Sequence, residues 1–252
     1  MLPVERHRAI VQLVNTKGSI RVKELSQIFD VTEETVRRDL DNLENEGKVR
    51  RSHGGAVRIE DDHAEVPYLE REMANVSEKQ SIAREAVRYI VSGDRIVLDA
   101  STSAWHVAAV LPNMPLTVLT NSLKVALELS TRDKIEVIST GGILRSSSLS
   151  YVGPMAEESV AQFHVNKAFL SCKGIHTEYG ISESNALQAL VKRKMIEIAD
   201  EVFILADHSK IQVRDFTNVG SLNEVNVLIT DAEVAKQELD RIRAFDIDII
   251  QV

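Results

Sequence analysis

Cysteine is almost absent from this chain. The single Cys172 has no partner for an internal disulfide, so a disulfide-stapled secreted scaffold is excluded. No run of 18 or more apolar residues occurs, which removes any candidate for a membrane-spanning helix. The first residues, Met1 to Arg8, lack the apolar core of an export signal, and the expected location is the cytoplasm. The seven histidines show no metal spacing such as His-Glu-x-x-His, so neither a metal nor another cofactor is expected. Internal repeats and low-complexity tracts are missing as well.

What remains is an ordinary globular composition, 44% hydrophobic and 27% charged over 252 residues, enough for one large domain or two ordinary ones. The net charge of −8 argues against nucleic acid as a partner until the chain is divided. Residues 1–58 carry 11 Lys and Arg against 9 Asp and Glu, a net +2, and the remainder carries −10. A mildly basic head is thus joined to an acidic body that phosphates would repel.

The head has helical punctuation throughout. Pro3 suits a helix start, Ile10, Val11, Leu13 and Val14 follow at helical spacing, and Gly18 closes that helix. Ile20 and Val22 fit a short strand. Leu25, Ile28 and Phe29 mark a second helix. Thr32 can N-cap a third, with Glu33 and Glu34 at its positive end and Gly47 as its stop. Val36, Leu40 and Leu43 share the face that packs inward, leaving Thr35, Arg38 and Asn42 on the other side with Arg37 beside them. The segment from Lys48 to Arg58, alternating around Gly54-Gly55, predicts a basic β-hairpin. Three short helices followed by such a hairpin form a winged helix-turn-helix. The third helix enters the major groove of double-stranded DNA, and the wing meets phosphates or the minor groove. The residues expected at DNA are Thr32, Thr35, Arg37, Arg38, Asn42, Arg50, Arg51 and His53. Taken singly, paired arginines on a helix are equally well explained as a solvated surface.

Residues 59–78, with Glu60-Asp61-Asp62 and Pro67, read as a polar linker, partly helical. A second domain is expected over 79–252. Its apolar strands, at 95–99, 116–120, 135–139, 167–171, 202–206, 227–230 and 247–250, are separated by helices. That alternation predicts an α/β fold with a parallel sheet covered on both faces. Ligands of open parallel sheets bind beyond the carboxyl ends of strands. Five such ends are polar here: Asp99, Ser101, Thr102 and Ser103; Thr120, Asn121 and Ser122; Gly141 and Gly142; Lys173 and Gly174; Asp207 and Lys210. Together they predict a pocket for a small polar anion, although any one Ser or Thr at such a junction is more simply a helix cap. Cys172 is expected as a small buried residue lining the pocket and His208 as a neighbour of the ligand. Trp105 either stacks on a sugar face or belongs to the core.

The head, from Arg6-His7 through Thr35-Val36-Arg37-Arg38-Asp39-Leu40 to Arg51-Ser52-His53-Gly54-Gly55-Ala56, resembles the DNA-binding domain of the DeoR family of bacterial transcriptional regulators. The remainder is similar to that family's sensor domain, so the resemblance spans nearly the whole chain. It implies a sensor similar in fold to ribose-5-phosphate isomerases, glucosamine-phosphate deaminases and CoA transferases. It also implies repression of a sugar-catabolism operon, with release from DNA when a phosphorylated sugar binds. In the family the loop at 99–103 is taken to hold the phosphate, and Lys210 matches an Asp-His-Ser-Lys motif. Ser101 departs from the Gly common at that position. Leu98-Asp-Ala-Ser-Thr-Ser-Ala-Trp and Phe169-Leu-Ser-Cys-Lys-Gly look most like the rhamnose and fucose branch, which implies a deoxyketose 1-phosphate such as rhamnulose 1-phosphate. Two heads on two half-sites require a homo-oligomer, a dimer or tetramer, expected to assemble through the C-terminal domain. The competing readings are an isomerase or deaminase carrying a DNA-binding head, with Asp99 or Asp207 as its base, and an activator indifferent to small ligands.

Overall fold

A computed structural model describes residues 3–46, 48–52, 54–57 and 66–252, without the side chains of Val4, Asn15, Thr16 and Arg50. The proposed helix stop Gly47, the wing residues His53 and Arg58, and residues 59–65 of the expected linker lie outside the described residues. The chain divides into two compact units, residues 1–62 and 63–252.

In the first unit, α1 (Pro3–Lys17), β1 (Ser19–Arg21), α2 (Val22–Phe29) and α3 (Glu33–Asn45) precede the hairpin strands β2 (Arg50–Ser52) and β3 (Gly55–Val57). Val22, expected in the strand, instead opens α2. Thr32 caps α3 as its sequence position requires, its hydroxyl accepting from the Thr35 amide at 3.2 Å. Val36, Leu40 and Leu43 are fully buried with Ile10, Val14 and Leu25, each worth about 1.5–3 kcal/mol relative to exposure. Strand β3 pairs antiparallel with both β2 and β1, so the wing is continuous with the strand between the first two helices.

The second unit starts with two helices, α4 (Tyr68–Met73) and α5 (Val76–Val87). Much of the segment expected as linker is therefore built into this unit. Tyr68 is buried and its amide donates to the Ser147 carbonyl at 2.7 Å. There follow β4 (Arg95–Leu98), α6 (Thr102–Val110), β5 (Leu116–Thr120), α7 (Leu123–Leu129) and β6 (Ile135–Ser139). A hairpin of β7 (Ile143–Arg145) and β8 (Ser150–Val152), helix α8 (Pro154–Ala161) and strand β9 (Val165–Leu170) come next. The chain closes with β10 (Gly174–His176), β11 (Gly180–Glu183), α9 (Ala186–Glu197), β12 (Ala199–Leu205), β13 (Thr217–Gly220), β14 (Val227–Thr230), α10 (Lys236–Arg243) and β15 (Asp248–Gln251).

The seven strands read from the sequence form one parallel sheet in the order β15-β14-β12-β9-β4-β5-β6. Alternation along each strand feeds two cores. Ile96, Leu98, Val118, Phe203 and Ile229 pack with α5, α6 and α7. Val97, Leu119, Leu170, Ile204 and Leu228 pack with α8, α9 and α10. Both faces are thus dry, which is why the strands read as continuous apolar runs. The β7–β8 hairpin, α8 and the antiparallel sheet β10-β11-β13 are additions that the sequence reading missed. The chain runs outward from β4 through β5 to β6, then returns to the other flank of β4 as β9. The sheet's switch point therefore lies between β4 and β9, where a crevice opens at the carboxyl ends.

Candidate functional site

On the first unit, Arg37, Arg38 and Asn42 are exposed on α3, and Thr35 is half-buried above them. Arg37 and Arg38 reach back one turn to Glu33 and Glu34, at 3.2 and 3.5 Å, on exposed ground where such pairs contribute little. Both guanidiniums are consequently available to an incoming phosphate or base. Arg51 is committed elsewhere: it donates to the Arg37 carbonyl at 3.0 Å and to Asp41 at 2.6 Å, and its amide donates to Glu44. It ties the wing to α3. Arg50 lies in β2, its side chain outside the described residues. Beneath the exposed pair, Asp39 points inward. It accepts from Arg6 at 2.6 and 3.1 Å and lies 2.9 Å from the His7 ring. Burial opposes its charge, but the hydrogen bonds from Arg6 and His7 outweigh that and hold its pKa below the ordinary value. The Arg-Arg-Asp order on α3 thus presents two cations outward and clamps α1 from below.

On the second unit, the crevice between β4 and β9 is a cleft with a cavity volume of about 170 Å³, below the usual range for drug-sized ligands and suited to a small one. Of the expected residues it gathers Ser101, Thr102, Ser103, Lys173, Asp207 and Lys210, with Cys172 as well. Three strand ends supply them, those of β4, β9 and β12, which are neighbours in the sheet. Ser101 caps α6 through the Ala104 amide at 3.0 Å. The next two amides, of Thr102 and Ser103, have no backbone or side-chain acceptor among the described residues, as expected of a helix N-terminus open to an anion.

The other expected residues fall outside the cleft, for identifiable reasons. Asp99 is fully buried beneath it. It accepts from the Ser101 and Ser171 amides at 3.0 Å each and pairs with Lys192 at 2.9 Å, fastening the β4 and β9 loops together. Thr120, Asn121 and Ser122 serve the β5 end: Thr120 accepts from the Ser122 amide, Ser122 caps α7, and Asn121 donates to the Tyr151 carbonyl. Gly142 has φ +112°, and a side-chain carbon there would lie 2.9 Å from the Val152 carbonyl oxygen, so it and Gly141 serve the β7–β8 hairpin. At Gly174 such a carbon would lie 2.3 Å from the Val213 carbonyl oxygen. Trp105 packs half-buried against the α5–α7 core, beside His106. His208 turns to Asp231, its amide donating to that carboxylate at 2.7 Å.

The structure adds residues that no strand-end rule could find. Arg71, Asn75 and Lys79 enter from α4 and α5, and Glu183, Ser184 and Lys192 from β11 and α9. Arg71 and Asn75 lie in the segment expected as linker, and Lys79, Glu183, Ser184 and Lys192 follow no strand of the parallel sheet, so nothing local in the sequence points to them. The lining holds five cationic side chains against three anionic ones. Lys192 is neutralised by Asp99 and by Glu183, at 2.9 and 2.5 Å; burial disfavours its charge, but these partners outweigh it and raise its pKa. Asp207 is held ionised despite burial by Lys210, Ser209 and Asn75. Burial brings Lys79 down to about 8. Lys173 is lowered by burial and by repulsion from Lys210 and Arg71. Burial pushes the Cys172 thiol up to about 12, which leaves it an unreactive wall. Crowded cations of this kind gain from a multiply charged anion.

Residues 6–62 match the DeoR-like helix-turn-helix domain and residues 74–232 the DeoR C terminal sensor domain. The chain is 56% identical over 232 residues to the HTH-type transcriptional regulator YulB of Bacillus subtilis, covering 92% of this chain and 90% of that one. It is 34% identical over 226 residues to the L-fucose operon activator of Haemophilus influenzae, covering 90% and 91%. It is likewise 34% identical over 230 residues to the transcriptional repressor AccR of Agrobacterium fabrum, covering 90% and 89%. With one family matching the head and the same family matching most of the body, this chain belongs to the DeoR family of DNA-binding transcriptional regulators.

Proposed function

We propose that the chain represses a sugar-catabolism operon and leaves its operator when a phosphorylated sugar intermediate enters the cleft. The observation that carries this reading is the cation excess of the cleft beside the two open amides of α6. That combination favours a dianion on a small polar body. Fucose control by the Haemophilus relative favours a deoxyketose 1-phosphate, rhamnulose 1-phosphate among them. Inverting occupancy of two states from 99:1 needs about 5.5 kcal/mol of differential affinity, within reach of a phosphate held by several cations and amides. The regulator acts in the cytoplasm as a homo-oligomer joined through the sensor units, placing two heads on two half-sites.

Activation is the second reading, supported by the same relative's name. The sign of control depends on where the operator lies relative to the promoter. An enzymatic reading finds less support at the expected bases. Asp99 is occupied by Lys192 and two amides, and Asp207 by Asn75 and Ser209.

A thermal-shift screen of sugar phosphates beside their unphosphorylated parents tests the proposal. A ligand at 100 times its dissociation constant adds about 2.7 kcal/mol, a rise of about 5–10 °C for a unit of this size. A rise with one phosphorylated sugar and not its parent is expected. Equal shifts from the parent sugars, or none from any phosphate, would overturn the reading.

A further inference from the structure

We propose that Lys79 is a positioning residue that transmits occupancy of the cleft to α4, the first helix after the segment leading from the head. The inference rests on the reading of the cleft as an anion site. Helix α4 has six residues, too few to persist by their own hydrogen bonds. Its order therefore depends on what grips it. Tyr68 is buried at its start, and Glu72 meets Lys124 at 3.1 Å on its flank. At its end the Lys79 ammonium receives the chain: it donates to the Arg71 and Ala74 carbonyls, at 2.5 Å each. These two acceptors lie in the final turn and at the C-cap, where a helix runs short of its own donors; the Arg71 carbonyl also accepts from the Ala74 amide at 3.3 Å.

Lys79 also lines the cleft. It is 5% exposed, and among the described residues it forms no ion pair, the charge of Asp207 reaching it only at longer range. An ammonium has three donors, and two are spent on α4. The third remains for an anion, which would supply the counter-charge that burial demands. Arg71 extends from α4 into the same cleft, so an anion there engages the helix twice, through a side chain and through the ammonium holding its backbone. Asn75, just past the helix end, donates to Asp207 at 2.9 Å and joins the turn to the far wall. An occupied cleft then completes the set of bonds on Lys79 and locks α4. An empty cleft leaves a buried cation short of one partner and α4 free to fray. The chain toward the head leaves from the start of that helix.

Hydrogen exchange on the full chain, with inorganic phosphate as the probe, tests this. At ten times the dissociation constant of phosphate, amides whose opening requires its release slow by about tenfold. That slowing is expected at Thr102–Ala104 and equally over residues 70–75. In Lys79→Met, phosphate concentrations that saturate the response at Thr102–Ala104 should leave residues 70–75 exchanging as in the empty protein, and Lys79→Arg should restore the response. If the Met variant fails to fold, Lys79→Gln, which keeps one carbonyl bond, takes its place. Slowing at α6 without slowing at α4 in the unaltered protein would overturn the inference and leave the anion site standing. No response at either segment would overturn both. A Lys79→Met protein that no longer binds phosphate at all would make Lys79 an ordinary ligand contact and defeat the positioning role.

Discussion

Replacing Lys192 by Met isolates the energetic centre of the sensor. The side chain is almost fully buried, and its ammonium bridges Asp99 at 2.9 Å, Glu183 at 2.5 Å and the Ser171 carbonyl at 2.5 Å. Methionine keeps the volume and removes the charge, leaving two carboxylates buried without their cation. Breaking a buried pair from one side costs about 3–5 kcal/mol. Asp99 retains the Ser101 and Ser171 amides, which places the expected loss toward the lower end of that range. For a unit of this size, about 3 kcal/mol corresponds to a fall of about 6–12 °C in melting temperature. Trp105 is the only Trp in the chain and lies in this unit, so its fluorescence during denaturant or thermal unfolding reports the sensor alone. Adding Asp99→Asn to Lys192→Met should cost less than the two single changes summed, because the second no longer strips an intact pair. A loss below about 1 kcal/mol for Lys192→Met, or strict additivity of the double variant, would refute the claim that this triad fastens the strand-end loops.

Arg38→Ala should leave the melting temperature unchanged, since its pair with Glu34 is exposed, while weakening operator binding by about 1–3 kcal/mol if it reads a base or lowering the salt slope by about one if it meets phosphate. An unaltered anisotropy titration would remove Arg38 from the interface. Asp39→Ala should destabilise the head by about 3 kcal/mol, because Arg6 is left buried without its carboxylate. Asp39 is held below its ordinary value of 3.8, so its contribution is complete above that pH and is lost as the pH falls through the lower folded value. The gap between wild type and variant in circular-dichroism melts should therefore close only in strong acid. Gly174→Ala should destabilise the sensor by about 1–3 kcal/mol through its collision with the Val213 carbonyl, a strain no ligand would relieve. A variant as stable as wild type would return Gly174 to the list of candidate ligand contacts.

Local chemistry made much of this protein readable from its sequence. The Thr32 cap, the inward Val36, Leu40 and Leu43 and the Gly54-Gly55 turn are decided by residues within a few positions of one another, so a winged head could be recognised without coordinates. All seven strands of the sheet were visible for a related reason. A parallel strand buried on both faces must be apolar along its length, and that signature survives any ordering of the strands. The order itself was not available. Five polar strand ends look alike in sequence, and only the placement of β4 between β9 and β5 sends three of them to the cleft while the ends of β5 and β6 serve the β7–β8 hairpin. The same limit hid Arg71, Lys79, Glu183 and Lys192, whose companions in the cleft lie up to 139 positions away in the case of Arg71 and Lys210. Their roles come from burial and charge pairing, which arise only when distant segments close on each other. The sequence by itself determined the winged head, the seven strands of the parallel sheet and the family. Tertiary structure alone decided which strand ends meet, which cations crowd one cleft, and that a supposed linker supplies part of its wall.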